Sequence, residues 1–152
     1  MRNSIFLFVL TLGLAVAQPS SVTADRQDIL DYPLTLQRAN QLMAAVPEMT
    51  RYVISLPPEV LKKAATRTRA EQIANLEKDP KAMAIVKQHG LTAKEYIVGV
   101  PALRMALWLA DGRATPSTLV FASPANLAFA KANLSQRKPK WDAIDGGSRP
   151  SK

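Results

Sequence analysis

The chain reads as an all-α protein, a four- or five-helix bundle with a kinked apolar central helix. Three observations predict this. Apolar residues recur at three- and four-residue spacing between Leu34 and Gln136, and no segment alternates apolar and polar residues as a half-buried strand does. Pro58, Pro80, Pro116 and Pro124 each follow a Pro, Asp, Thr or Ser, which is how a proline opens a helix. The stretch Tyr96 to Ala110 is apolar on two faces, as suits a helix covered by its neighbours. The 152 residues, 47% of them hydrophobic, suit one domain able to bury a core without covalent staples.

Residues 1–17 read as a signal peptide, with Arg2 as the positive start, Ile5 to Val16 as the apolar run and Ala15-Val16-Ala17 as the cleavage site. A second small-residue site, Val22-Thr23-Ala24, offers a cut after Ala24. The apolar run is shorter than the roughly 20 residues that span a bilayer, and no later segment is a candidate, so no transmembrane segment is expected in the mature chain. Residues 18–33 carry Pro, Ser and Asp without periodicity and predict a flexible lead-in to a helical domain over 34–136.

Within that domain, Thr35 caps a helix whose stripe Leu36, Ala39, Met43 and Val46 continues past Pro47 through Met49, Val53 and Leu56. This is one kinked helix or two nearly coaxial ones. Pro58 starts a second helix running to about Lys78, with a weak stripe that places it at an edge. Asp79-Pro80 caps a short helix ending at His89-Gly90. Thr92 and Glu95 then form a capping box, with Leu91 and Tyr96 as a hydrophobic staple, and open the central helix. Gly99 and Pro101 predict its kink, and Asp111-Gly112 its end. Thr115-Pro116 predicts a short helical turn through Phe121, and Ser123-Pro124 a last helix to about Gln136. The remainder, 137–152, mixes Gly, Pro and Ser with five basic residues and predicts a disordered basic tail.

The inventory of reactive groups is thin. With no cysteine, thiol nucleophiles, thiolate metal sites, iron–sulfur clusters and attached c-type haem are excluded. His89 is the only histidine, and it stands at a helix C-terminus where an imidazolium complements the dipole. Neither a catalytic residue, nor a metal site, nor a cofactor is expected, and the chain is read as no enzyme.

What the residues offer instead is binding chemistry. Lys62, Lys63, Arg67 and Arg69 lie within eight positions and are candidate contacts to an anionic partner, although the helical wheel divides them into two stripes. Arg104 is the only charge between Tyr96 and Ala110, so it requires a carboxylate partner, a stacking contact with Trp108, or a ligand. Asn126 and Asn133 nearly eclipse one another on the last helix and are candidate buried amides, tying it to a neighbouring turn or facing a ligand. The formal charge of +8 bears on partners only through long-range electrostatics, and export and few aromatics argue against nucleic acid.

The segments Gly90-Leu91-Thr92-Ala93-Lys94-Glu95-Tyr96 and Pro124-Ala125-Asn126-Leu127-Ala128-Phe129 resemble motifs of small, uncharacterised exported helical proteins of Gram-negative bacteria, over roughly residues 34–136. That resemblance implies a periplasmic location and a helical fold, and no activity. A second resemblance is to cradle-shaped periplasmic stress chaperones with Leu-Thr-x-x-Gln helix starts. Here Leu34-Thr35 is followed by Arg38, and Leu91-Thr92 by Glu95. The expected function is therefore a non-enzymatic periplasmic or secreted domain binding an envelope protein or anionic surface component, with a holdase-type chaperone as the alternative.

Overall fold

The computed structural model describes residues 19–145 except Thr118, and the side chains from residue 23 onward except that of Ala65. The signal peptide assigned to 1–17 and the end of the tail, 146–152, lie outside the described residues. Among the described residues the chain is all-α, with seven helices where four or five were expected: α1 (Pro19–Asp31), α2 (Leu36–Ile54), α3 (Pro58–Ala65), α4 (Arg69–Lys78), α5 (Pro80–Gln88), α6 (Ala93–Ala110) and α7 (Pro124–Ile144).

The helix starts are set by local chemistry. Thr35, Asp79, Thr92 and Ser123 each stand in extended backbone and accept a hydrogen bond from an N–H of the first turn, as their spacing predicts. At Thr92 the capping box is complete, and both staple residues, Leu91 and Tyr96, are buried. Pro47 lies within a continuous α2, so the first alternative, a single helix, holds. At the other end of α5, Gly90 turns the chain at a φ of 71°, a conformation that costs glycine little.

Four boundaries differ from expectation. The lead-in over 18–33 contains α1, which docks by burying Ile29 and, just beyond its end, Tyr32. The Arg26 guanidinium also lies over the Phe121 ring at 4.0 Å. The expected helix 58–78 is interrupted at Thr66–Thr68, because Thr68 and Glu71 form a second complete capping box and open α4 afresh. The turn through Phe121 is not helical: Ser117 Oγ accepts from the N–H groups of Leu119 and Val120, which folds a loop that buries Phe121. Finally, α7 runs well past Gln136, carrying the buried Arg137 and Trp141, and Asp145 caps its end. The predicted disordered tail therefore begins with two turns of packed helix.

The core explains these extensions. α6 packs against α1, α2, α4, α5 and α7, and eleven of its residues are buried, from Ala93 to Leu107. Close approach is possible where α6 is small. A Cβ on Gly99 would lie 2.7 Å from Tyr32 Cζ and 3.0 Å from Leu42 Cδ1, so the bare backbone there admits the α1–α2 connection. Tyr32 rests in that notch and thereby positions α1 on the central helix. α3 stands apart from this arrangement and makes no extensive contact with another helix among the described residues.

Candidate functional site

Because α3 does not close onto the core, a cleft of about 520 Å³ remains between it, the second half of α2, α4 and the start of α6. Its walls are mainly apolar, with Met49, Val53, Leu61, Ala64, Leu76 and Ile97 among the lining residues. Polar groups stand at its edges. Tyr52 donates its hydroxyl proton to Asp79 Oδ2 at 2.5 Å, and Asp79 Oδ1 accepts from the N–H groups of Lys81 and Ala82. Burial pushes the Asp79 carboxyl up, but the hydrogen bonds from Tyr52, Ala82 and Lys81 outweigh it and hold the group below the usual carboxylate range. That carboxylate is occupied as the cap of α5, leaving little basicity for proton transfer.

The four cations singled out from the sequence separate in the fold. Lys62 and Lys63 are exposed in the last turn of α3, and Arg67 lines the cleft from the short connection to α4. Arg69 leaves the group: its Nη1 donates to the Ile97 carbonyl at 3.0 Å, and its Nε lies 3.9 Å from Asp25, so it fastens α4 and α1 to α6. Burial lowers its pKa despite the nearby Asp25 and Asp28. The separation follows from the break at Thr68, which turns Arg69 away from the frame of α3.

Arg104 finds the carboxylate that the sequence left unnamed. Its Nη2 lies 3.3 Å from Asp145 Oδ1, and its guanidinium sits 5.7 Å from the Trp108 ring centroid and 5.6 Å from that of Trp141. Two indoles thus flank one cation, and its partner carboxylate comes from the residue that ends α7. Burial raises the pKa of Asp145, and Arg104, Trp108 and Arg113 offset this only in part. Arg104 is a packed pair that holds α7 on α6, and it does not line the cleft.

Asn126 is buried and bridges two backbones: Oδ1 accepts from Leu34 N–H at 3.0 Å, and Nδ2 donates to the Tyr32 carbonyl at 2.8 Å. It ties α7 to the α1–α2 connection, satisfying groups that Pro33 leaves without helical partners. Asn133 stays within its own helix, donating to the Phe129 carbonyl at 2.8 Å. His89 Nε2 meets Glu48 Oε1 at 3.1 Å, joining the end of α5 to α2.

Sequence reasoning did not find the cleft. Its lining comes from five separate helices, and the one signal for the gap was the Thr-x-x-Glu spacing at Thr68 and Glu71, which ends α3 early. Among the described residues no three His, Asp or Glu side chains gather as a metal ion would require, and no helix is long and apolar enough to cross a membrane. In comparison with known proteins, no family model, no curated protein and no solved structure matches this chain.

Proposed function

We propose that this chain is a non-enzymatic exported binding domain that receives an apolar part of another envelope component in the cleft beneath α3. One observation carries the reading: an apolar cleft of about 520 Å³ persists beside a well-packed core, and the helix that walls it is the least anchored. That volume falls within the roughly 300–1,000 Å³ of ligand pockets, and apolar lining with a few polar groups at the edge is their usual composition. The non-enzymatic part rests on the occupation of the polar groups. Asp79 is committed to Tyr52 and a helix cap, and His89 to Glu48 away from the cleft.

The architecture that serves this role is a helical bundle around α6, kinked where Pro101 removes a backbone donor. Export proceeds by cleavage after Ala17, a reading supported by the helix over Pro19–Asp31, since a cut after Ala24 would remove six of those thirteen residues. The resemblance to small exported helical proteins of Gram-negative bacteria agrees with a periplasmic site of action. A holdase needs a broad apolar face. The exposed large hydrophobics are Leu36 and Ile54, at opposite ends of the 19-residue α2, and Leu119, in the loop before α7; this scatter favours a specific binding domain.

Nile red, a neutral apolar dye, tests the cleft. It brightens with the wild-type protein and stays dim with Ala64→Phe, which fills the cleft from α3. Suppression of client aggregation by both forms alike, with no dye bound by either, would move the function to the chaperone reading.

A further inference from the structure

Within the described residues, arginine side chains have partners at nearly every position. Arg26 lies on Phe121, Arg38 pairs with Glu95, and Arg51 donates to the Pro47 carbonyl. Arg69, Arg104, Arg113 and Arg137 reach Ile97, Asp145, Asp111 and Asn40. Arg67 is the exception among the described residues. It is half-buried and lines the cleft, and its side chain has no hydrogen-bond or ion-pair partner among the described residues.

The nearby acids do not serve it. Glu71 folds back onto the N–H and hydroxyl of Thr68, and Asp79 stands beyond the far end of α4, about 15 Å along the helix axis, engaged by Tyr52. Lys62 and Lys63 are exposed on the turn of helix that leads to Arg67 and add positive potential at the same end. The other end holds Lys78 beside the Asp79 carboxylate, so opposite charges offset there. The cleft therefore has a cationic end, an apolar middle and a balanced end.

We propose that this cleft binds a single-chain fatty acid, its carboxylate on Arg67 and its hydrocarbon tail among the apolar residues between α2, α3 and α6. The proposal rests on the cleft being the binding site and adds the ligand to it. A guanidinium presents paired N–H groups that match one planar carboxylate. The cavity volume, in the lower half of the range for ligand pockets, suits one chain rather than the two of a membrane phospholipid. The weak anchoring of α3 lets that helix close over the tail.

The experiment is displacement of Nile red from the full protein by octanoate, dodecanoate, hexadecanoate, dodecanol and dodecyl phosphate, with Arg67→Gln and Ala64→Phe alongside and their folding checked by thermal melts. Affinity is expected to rise up to about fourfold per methylene until the cleft is full. Arg67→Gln weakens dodecanoate binding about tenfold or more and leaves dodecanol unchanged, since it removes only charge-assisted hydrogen bonds. Ala64→Phe weakens both. Equal binding of dodecanoate and dodecanol by wild type overturns the carboxylate assignment while the apolar cleft stands, and stronger binding of a single-chain phosphate lipid overturns it in favour of that headgroup. Dye and ligands that fail to bind, or that bind Ala64→Phe as well as wild type, overturn the cleft itself.

Discussion

Two arginines that the sequence marks as candidates, Arg104 and Arg67, end in opposite circumstances. Arg104 lies between two indoles and against a carboxylate whose side chain is 1% exposed, in the tightly packed contact of α6 with α7. Arg67 borders a cleft beside a helix with few contacts and meets no partner among the described residues. The difference lies in which distant segment arrives. The chain returns an Asp and a Trp to Arg104 at the end of α7, and among the described residues it returns nothing to Arg67. A cation committed to the fold and a cation available to a ligand can look alike in sequence.

The largest effects are expected on the committed side. Arg104→Ala leaves the Asp145 carboxylate buried without its counterion and the two indoles without the cation between them, and should cost about 3–5 kcal/mol in denaturant melts. Trp141→Ala, which empties a site 1% exposed, should cost a similar amount, about 3–5 kcal/mol. A frayed tail would lose almost nothing in either variant, so a change under about 1 kcal/mol, within the range of ordinary surface substitutions, would place 137–145 outside the fold. Arg67→Gln in the same melts should lie within about 0.5 kcal/mol of wild type.

Smaller losses are expected where the α1–α2 connection meets the core. Asn126→Ala strands the buried Leu34 N–H and Tyr32 carbonyl and should cost about 1–3 kcal/mol. Gly99→Ala drives a methyl into the Tyr32 ring and should cost about 1–3 kcal/mol as overpacking. Thermal melts distinguish the causes, since shortening Tyr32 in the Gly99→Ala background restores stability and does nothing for Asn126→Ala. Thr68→Ala removes one cap between α3 and α4 and should cost about 1 kcal/mol.

What was legible follows the range of the interactions. The caps at Thr35, Asp79, Thr92 and Ser123 act over two or three residues, so spacing alone reveals them. The box at Thr68 and Glu71 has the same spacing as that at Thr92 and Glu95 but sits in a polar run without an apolar stripe, where spacing alone does not separate a new helix start from helix interior. α1 and the end of α7 carry little periodicity of their own. Tyr32 is buried because α6 has a glycine to receive it, and Asp145 meets Arg104 across the α6–α7 contact. The cleft is less legible still, being a gap left by α3 and owned by no single segment.

The smallest expected effect concerns pH, and it divides the two regions by sign. Asp79, at the cleft, is held below the usual carboxylate range because its hydrogen bonds outweigh the burial that would raise it. Its folded form binds protons less readily than the unfolded chain, so it contributes stability above the ordinary carboxylate pKa of about 3.9, lost as pH falls through its depressed value. Asp145, at the packed end, is raised chiefly by burial. It contributes below that ordinary pKa and loses the contribution as pH rises through its elevated value. Acidification from neutrality should therefore first relieve Asp145 and afterwards weaken the Asp79 cap. Carboxyl carbon NMR checks the order directly, with Asp79 titrating below free aspartate and Asp145 above it. Tyr52→Phe moves the Asp79 midpoint up and flattens the acid side of the stability curve, leaving Asp145 where it was. If instead Asp145 titrates below Asp79, the pairing with Arg104 outweighs burial, and the packed end gains its stability from charge as well as from the two indoles.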